Sequence, residues 1–282
     1  MTLKRLYIAL LGALLVGCQQ QPVAVHTTIE KETFEHSEKD LLHRSNSYDK
    51  ETIISSFADQ HPKEWGESVT GVKTAFHTEE HELALTFDAC GGQHGSKIDH
   101  QLISFLNDQA IPATLFVNSR WIDENKEAFL ELAENPLFQI ENHGTEHKPL
   151  SVSGETAWGI QGTDSVEEAY EEIMENHTKI TELTGRSPEL FRSGTAYYDE
   201  VAVEVASDLG ISVVNFTILG DAGATYSSNQ VKNALLDASP GDIALLHMNQ
   251  PNSGTAKGVM EAVPLLKEKG FSFVKLENQN LR

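Results

Sequence analysis

Seven short runs along the chain are nearly continuous in apolar residues and rich in Val, Ile, Leu and Phe. They are 83–88 (LALTFD), 112–117 (PATLFV), 137–142 (LFQIEN), 189–193 (ELFRS), 212–218 (SVVNFTI), 242–247 (DIALLH) and 271–276 (FSFVKL). Length and composition predict strands. Between them the apolar period lengthens to that of a helix. Residues 98–109 place Ile98, Leu102, Phe105 and Leu106 on one face, and 124–134 is a second helical pattern. A third, 165–184, opens on a Ser165-x-x-Glu168 capping box and stops at Gly185. Three strands are entered the same way, through a helix end and a polar or glycine break: "NDQAIPATLFV", "SDLGISVVNF" and "LKEKGFSFVKL". Strands apolar on both faces that alternate with helices imply a parallel sheet covered by helices. The expected fold class is α/β, and about seven such strands suit a distorted (β/α) barrel better than an open sheet.

The pattern before residue 81 is different. Residues 1–17 join a short basic stretch (Lys4, Arg5) to an apolar run from Leu6 to Val16, too short to span a bilayer comfortably. The run ends Leu15-Val16-Gly17-Cys18, which resembles the lipobox of bacterial lipoproteins, with Cys18 as the lipidated residue. An ordinary signal peptide with Cys18 incidental is the alternative. Lipidation would hold the protein at a membrane of the bacterial cell envelope, facing periplasm or exterior, without spanning it. Residues 18–47 are polar and aperiodic and read as a tether, 48–80 as a lead-in with a short helix near 52–58, and 81–282 as the barrel.

Charge narrows the partners. The formal net charge is −21, so nucleic acid and anionic surfaces are repelled. The two cysteines offer no internal disulfide if Cys18 carries lipid, because Cys90 then stands alone. A free cysteine is usually a small buried hydrophobe, and Cys90 is expected to pack behind the turn it sits in.

Candidate chemistry appears when only the C-terminal ends of the strands are read, where barrels of this class gather their functional groups. The first strand ends on Asp88, the third on His143 and His147, the fourth on Arg192, the fifth leads to Asp221, and the sixth ends on His247. One such residue would be an ordinary core or cap group; five strand ends converging on ionisable groups indicate a site. The H-x-x-x-H spacing lets two imidazoles meet one metal, and Asp88 offers a carboxylate from another strand. A divalent cation polarises a carbonyl, amide or ester hydrolysis also needs a base and an acid, and His247 is placed to be the acid.

The segments TFDACGG, HGTEH, FRSGTAYYD, GDAGA and LLH, in this order, resemble the five motifs of the polysaccharide deacetylase (NodB-homology) family, carbohydrate esterase family 4. The resemblance covers roughly residues 80 to 277. It implies a distorted (β/α) barrel and removal of acetyl groups, mainly N-acetyl, from a glycan such as chitin oligomers, peptidoglycan or exopolysaccharide. It implies a divalent cofactor, zinc first, with cobalt, nickel or manganese as alternatives. By position His143 and His147 match metal ligands, His247 the general acid, and Arg192 and Asp221 the groups that position base and acid. One departure matters: where the family has two adjacent aspartates, base then ligand, this chain has Asp88 and Ala89. Asp88 therefore stands as base, ligand or both. His94 is a substitute ligand, but its loop reads as solvated. Met248 replaces an aspartate often found after the last histidine.

The stretch 148–164 has loop composition, and Trp158 in it is either the wall of a sugar groove or core. Two other functions fit the same residues: hydrolysis of small amides or cyclic ureides, and non-catalytic carbohydrate binding by a lipoprotein that has lost a ligand.

Overall fold

The computed structural model describes residues 49–282. The signal, the lipidation site at Cys18 and the tether lie outside the described residues, and so does the start of the lead-in. In chain order the elements are α1 (Lys50–Phe57), β1 (Trp65–Gly66), β2 (Phe76–His77), β3 (Glu82–Ala89), α2 (His100–Asp108), β4 (Ala113–Val117), α3 (Ser119–Glu124) and α4 (Lys126–Glu134). There follow β5 (Phe138–Asn142), β6 (Thr156–Ala157), β7 (Ile160–Gln161), α5 (Val166–Thr184), β8 (Leu190–Phe191), β9 (Tyr198–Asp199) and α6 (Glu200–Asp208). The chain ends through β10 (Ser212–Val213), β11 (Ile218–Leu219), α7 (Ser228–Leu236), β12 (Asp242–His247), α8 (Thr255–Glu268), β13 (Ser272–Val274) and β14 (Asn280–Leu281). Among the described residues no helix is long and apolar enough to cross a membrane.

The central sheet is parallel throughout, in the order β10-β8-β5-β4-β3-β12-β11, with β13 paired to the first half of β3. Neighbours in the sheet follow chain order around a circle whose two edges are β10 and β11. The lead-in crosses between these edges. Lys73 bridges Val214 beside β10, and Ala75 bridges Asp242 at the foot of β12. This is the expected distorted (β/α) barrel.

All seven predicted strands are present. The fifth, 212–218, divides into β10 and β11, which makes eight. The cause lies at Asn215, whose buried amide donates to the carbonyls of Glu67 and Ala196, while its own carbonyl and that of Val214 accept from Arg192. With these groups committed elsewhere, the segment cannot continue a ladder. The Ser165 box is also one-sided. Ser165 caps Glu168 N, but the Glu168 carboxylate accepts from Asp164 N instead. The reciprocal box is at α7, between Ser227 and Gln230.

Strand alternation sorts side chains between helix layer and lumen. Leu83, Leu85, Phe87 and Ala89 of β3, and Ala244 and Leu246 of β12, join the apolar cluster under the helices. The other parity faces inward. Ala84, Phe116, Leu190 and Ile243 fill the lower lumen with Phe76 and Leu276. Continuing upward on that parity, β3 presents Thr86 and then Asp88, and β12 ends on His247. The barrel is thus a packed core with its ionisable groups at the upper mouth.

Candidate active site

Asp88 and Arg192 are the deepest pair, both almost wholly buried. Arg192 Nη1 donates to Asp88 Oδ1 at 2.8 Å and to Thr86 Oγ1 at 2.8 Å, Nε donates to Val214 O, Nη2 to Asn215 O, and the guanidinium lies 4.2 Å over the Phe116 ring. A buried guanidinium is tolerated only when its donors are used, and here they are. The pairing fixes one oxygen of Asp88 and leaves Oδ2 turned toward His143 Nε2, at 3.7 Å.

His143 follows β5 and is buried. Its Nδ1 meets Arg192 O at 2.9 Å. Because a carbonyl only accepts, Nδ1 carries the proton and the Nε2 lone pair faces the mouth. Burial disfavours the charged imidazole, but Asp88 and Cys90 together raise the His143 pKa above its usual value. His147 stands edge-on to it with centroids 5.0 Å apart. The turn between them is held from α5. The buried carboxylate of Glu172 accepts from the backbone N–H groups of Glu146 and Lys148 at 2.8 and 3.1 Å, and burial pushes its pKa up to about 7. His147 itself has φ of 63°, a left-handed conformation costly for a side chain with a Cβ. Gly194 admits its ring, since a Cβ there would lie 2.4 Å from His147 Cγ.

On the opposite wall, Asp221 accepts from His247 Nδ1 and His247 N, each at 2.8 Å, from Thr255 Oγ1 at 2.8 Å and from Ala224 N at 3.2 Å. Burial would raise the Asp221 carboxyl, but His247 and these donors hold it below its ordinary value. The same pairing overcomes burial at His247 and raises its pKa well above the imidazole norm.

All of the sequence-predicted residues within the described part therefore meet at one mouth, around a cleft of about 660 Å³ that Asp88, His147 and His247 line. His94 is exposed in its loop, as expected. Cys90 is the group that sequence reasoning misplaced. It does not pack behind the turn; it lines the cleft, with Sγ 3.8 Å from His143 Nε2. The signal was available, because residue 90 shares the inward parity of Asp88. Burial alone would raise the Cys90 thiol, yet His147, with His143 and His247, holds it well below the usual thiol range. Thr255 and Glu172 were also missed, as ordinary polar residues in helices.

The long loop after the histidines is ordered. β6 and β7 form a hairpin whose two turn residues, Trp158 and Gly159, have φ of 55° and 78°. Trp158 is 75% exposed, stands edge-on to Tyr197 and lines the cleft, so it is wall rather than core.

Fold and mouth together define a helix-covered parallel barrel with acid–base groups and paired imidazoles gathered at one end. Residues 75–214 match the family model described as polysaccharide deacetylase, and the chain accordingly carries a polysaccharide deacetylase domain of the NodB-homology type, carbohydrate esterase family 4. That match stops before Asp221 and His247, which the fold returns to the same mouth. A curated bifunctional xylanase/deacetylase from Pseudobutyrivibrio xylanivorans is 22% identical over 73% of the chain, and the alignment spans about a third (32%) of that relative. Among solved structures, a peptidoglycan N-acetylglucosamine deacetylase superposes with TM-score 0.61 at 20% identity, covering 73% of this chain and 91% of that one. An acetyl xylan esterase from Clostridium thermocellum, in complex with a cobalt ion, gives 0.56 at 20% over 69% and 88%. A family 4 pseudoenzyme from Bacillus anthracis gives 0.59 at 19% over 72% and 66%. At these identities the structural likeness concerns the fold.

Proposed function

We propose that this chain is a metal-dependent hydrolase that removes acetyl groups, mainly N-linked, from an envelope or extracellular polysaccharide. The observation that carries the reading is the two-sided mouth, with Asp88 and the imidazoles of His143 and His147 on one wall and the His247–Asp221 pair on the other.

The donor set suits a divalent cation of borderline softness, such as zinc. Sγ of Cys90 and ring nitrogens of His143 and His147 lie within 4.8 Å of one another, and Nε2 of His147 is buried without a hydrogen-bond partner among the described residues. The two imidazoles would hold the ion, with Asp88 or Cys90 completing the set. When bound, it supplies a Lewis acid for the acetyl carbonyl and acidifies water beside it. The protein's own groups do the proton work. Asp88, one oxygen fixed by Arg192, takes a proton from the attacking water through Oδ2. His247 is charged and oriented by Asp221 through Nδ1, and it gives a proton from Nε2 to the departing amine.

The cleft supports a saccharide ligand. Trp158 offers an apolar face at the rim, and the buried atoms Thr195 Oγ1 and Asn249 Oδ1, without hydrogen-bond partners among the described residues, belong to residues that line it. Envelope location rests on the anchor expected at Cys18. The pseudoenzyme neighbour favours a second reading, glycan binding without turnover. Acetate release decides among the readings: N-acetylglucosamine oligomers are expected to be deacetylated and small amides spared. Release from small amides alone, or from nothing, would sink the proposal.

A further inference from the structure

Resting on that reading of the mouth as a cation site, we propose that Cys90 is the third protein ligand, a thiolate beside His143 and His147, so that Asp88 is left free as the base. Inward side chains of β3 fall at 84, 86 and 88, and the next is 90; Ala89 points the other way, fully buried in the apolar layer under the helices. The next two residues then turn the chain sharply. Gly91 has φ of 70°, and a Cβ there would lie 2.5 Å from Trp121 N, so only glycine lets residue 90 stop at this depth.

Around a tetrahedral zinc with bonds of about 2.0 Å to nitrogen and 2.3 Å to sulfur, N and S stand about 3.5 Å apart. Sγ of Cys90 is 3.8 Å from His143 Nε2. Among the described residues, the set of three donor groups with all ligand atoms within 4.8 Å of one another is Cys90, His143 and His147; Asp88 is not in it. Asp88 Oδ1 is instead committed to Arg192 at 2.8 Å. The carbonyl of Arg192 takes Nδ1–H of His143 and turns its Nε2 lone pair to the same point as the thiol. On binding, the thiol proton leaves to solvent and an S–metal bond forms.

The test loads cobalt into the full chain and reads the near-ultraviolet thiolate-to-cobalt charge-transfer band, with Cys90→Ser and Asp88→Asn in parallel and Cys18 kept in every variant. The wild-type protein is expected to show the band. Cys90→Ser should lose it and bind zinc at least about tenfold more weakly, the lower end of what even outer-shell changes cost. Asp88→Asn should keep band and metal while turnover disappears. Iodoacetamide labelling of the Cys90 peptide in the wild-type protein, slowed by zinc and restored by chelator, checks the ligand without any variant. Cobalt bound without the band, labelling indifferent to zinc, or metal lost in Asp88→Asn but kept in Cys90→Ser would each overturn the assignment. A wild-type protein that takes up neither cobalt nor zinc overturns the cation site and this ligand together.

Discussion

Asp221 shows how one buried carboxylate sets the chemistry of a neighbour. Its four donors keep it ionised, and its charge keeps His247 protonated above the range where a free imidazole would lose its proton. An acid that must donate loses activity as pH rises through its pKa, so the raised value extends activity to higher pH. Asp221→Asn removes the charge and keeps an acceptor. The alkaline limb of kcat is then expected to move to lower pH and kcat to fall at least about tenfold. An alkaline limb that does not move would show that His247 is not the acid. Residue chemistry was also the most legible level in the sequence, because Asp88, His143, Arg192 and His247 all stand at ends of apolar runs. The inward parity of Cys90 was legible, but its chemical character was not, since that depends on three imidazoles brought from residues 143, 147 and 247.

At the scale of elements, the site depends on α5 and on the hairpin of β6 and β7. Glu172 of α5 supplies the acceptor for two backbone donors that flank His147. Glu172→Ala removes the acceptor from two part-buried donors, a cost of about 1 kcal/mol, read as a lower melting temperature and weaker zinc binding. Unchanged zinc affinity would mean that the turn needs no such support. Trp158→Ala, at an exposed tip, is expected to leave stability alone and raise KM for oligosaccharides with little change in kcat. An unaltered KM would remove Trp158 from the cleft's function. The strands were readable because parallel strands buried on both faces are apolar without interruption. The division of 212–218 was not, because Val, Phe, Thr and Ile there read as strand while Asn215 folds as a polar hub. The hairpin was hidden by a turn that uses a tryptophan in a left-handed conformation, where sequence rules look for Asn or Gly.

In the molecule as a whole, the site is made by convergence. Groups carried by β3, by the turn after β5, by the residue that follows β8 and by β12 are separated by up to 159 positions from Asp88 to His247 in the chain, yet they share one mouth of the barrel. The −21 charge is a property of the same scale, spread over the chain rather than confined to the site. The most direct measurement is an anomalous-difference map from a zinc-loaded crystal of the protein. A single peak is expected within about 2.1 Å of a ring nitrogen of both His143 and His147 and about 2.3 Å from Cys90 Sγ. A map with no peak between the two imidazoles, from a protein that still releases acetate, would show that turnover needs no cation held there.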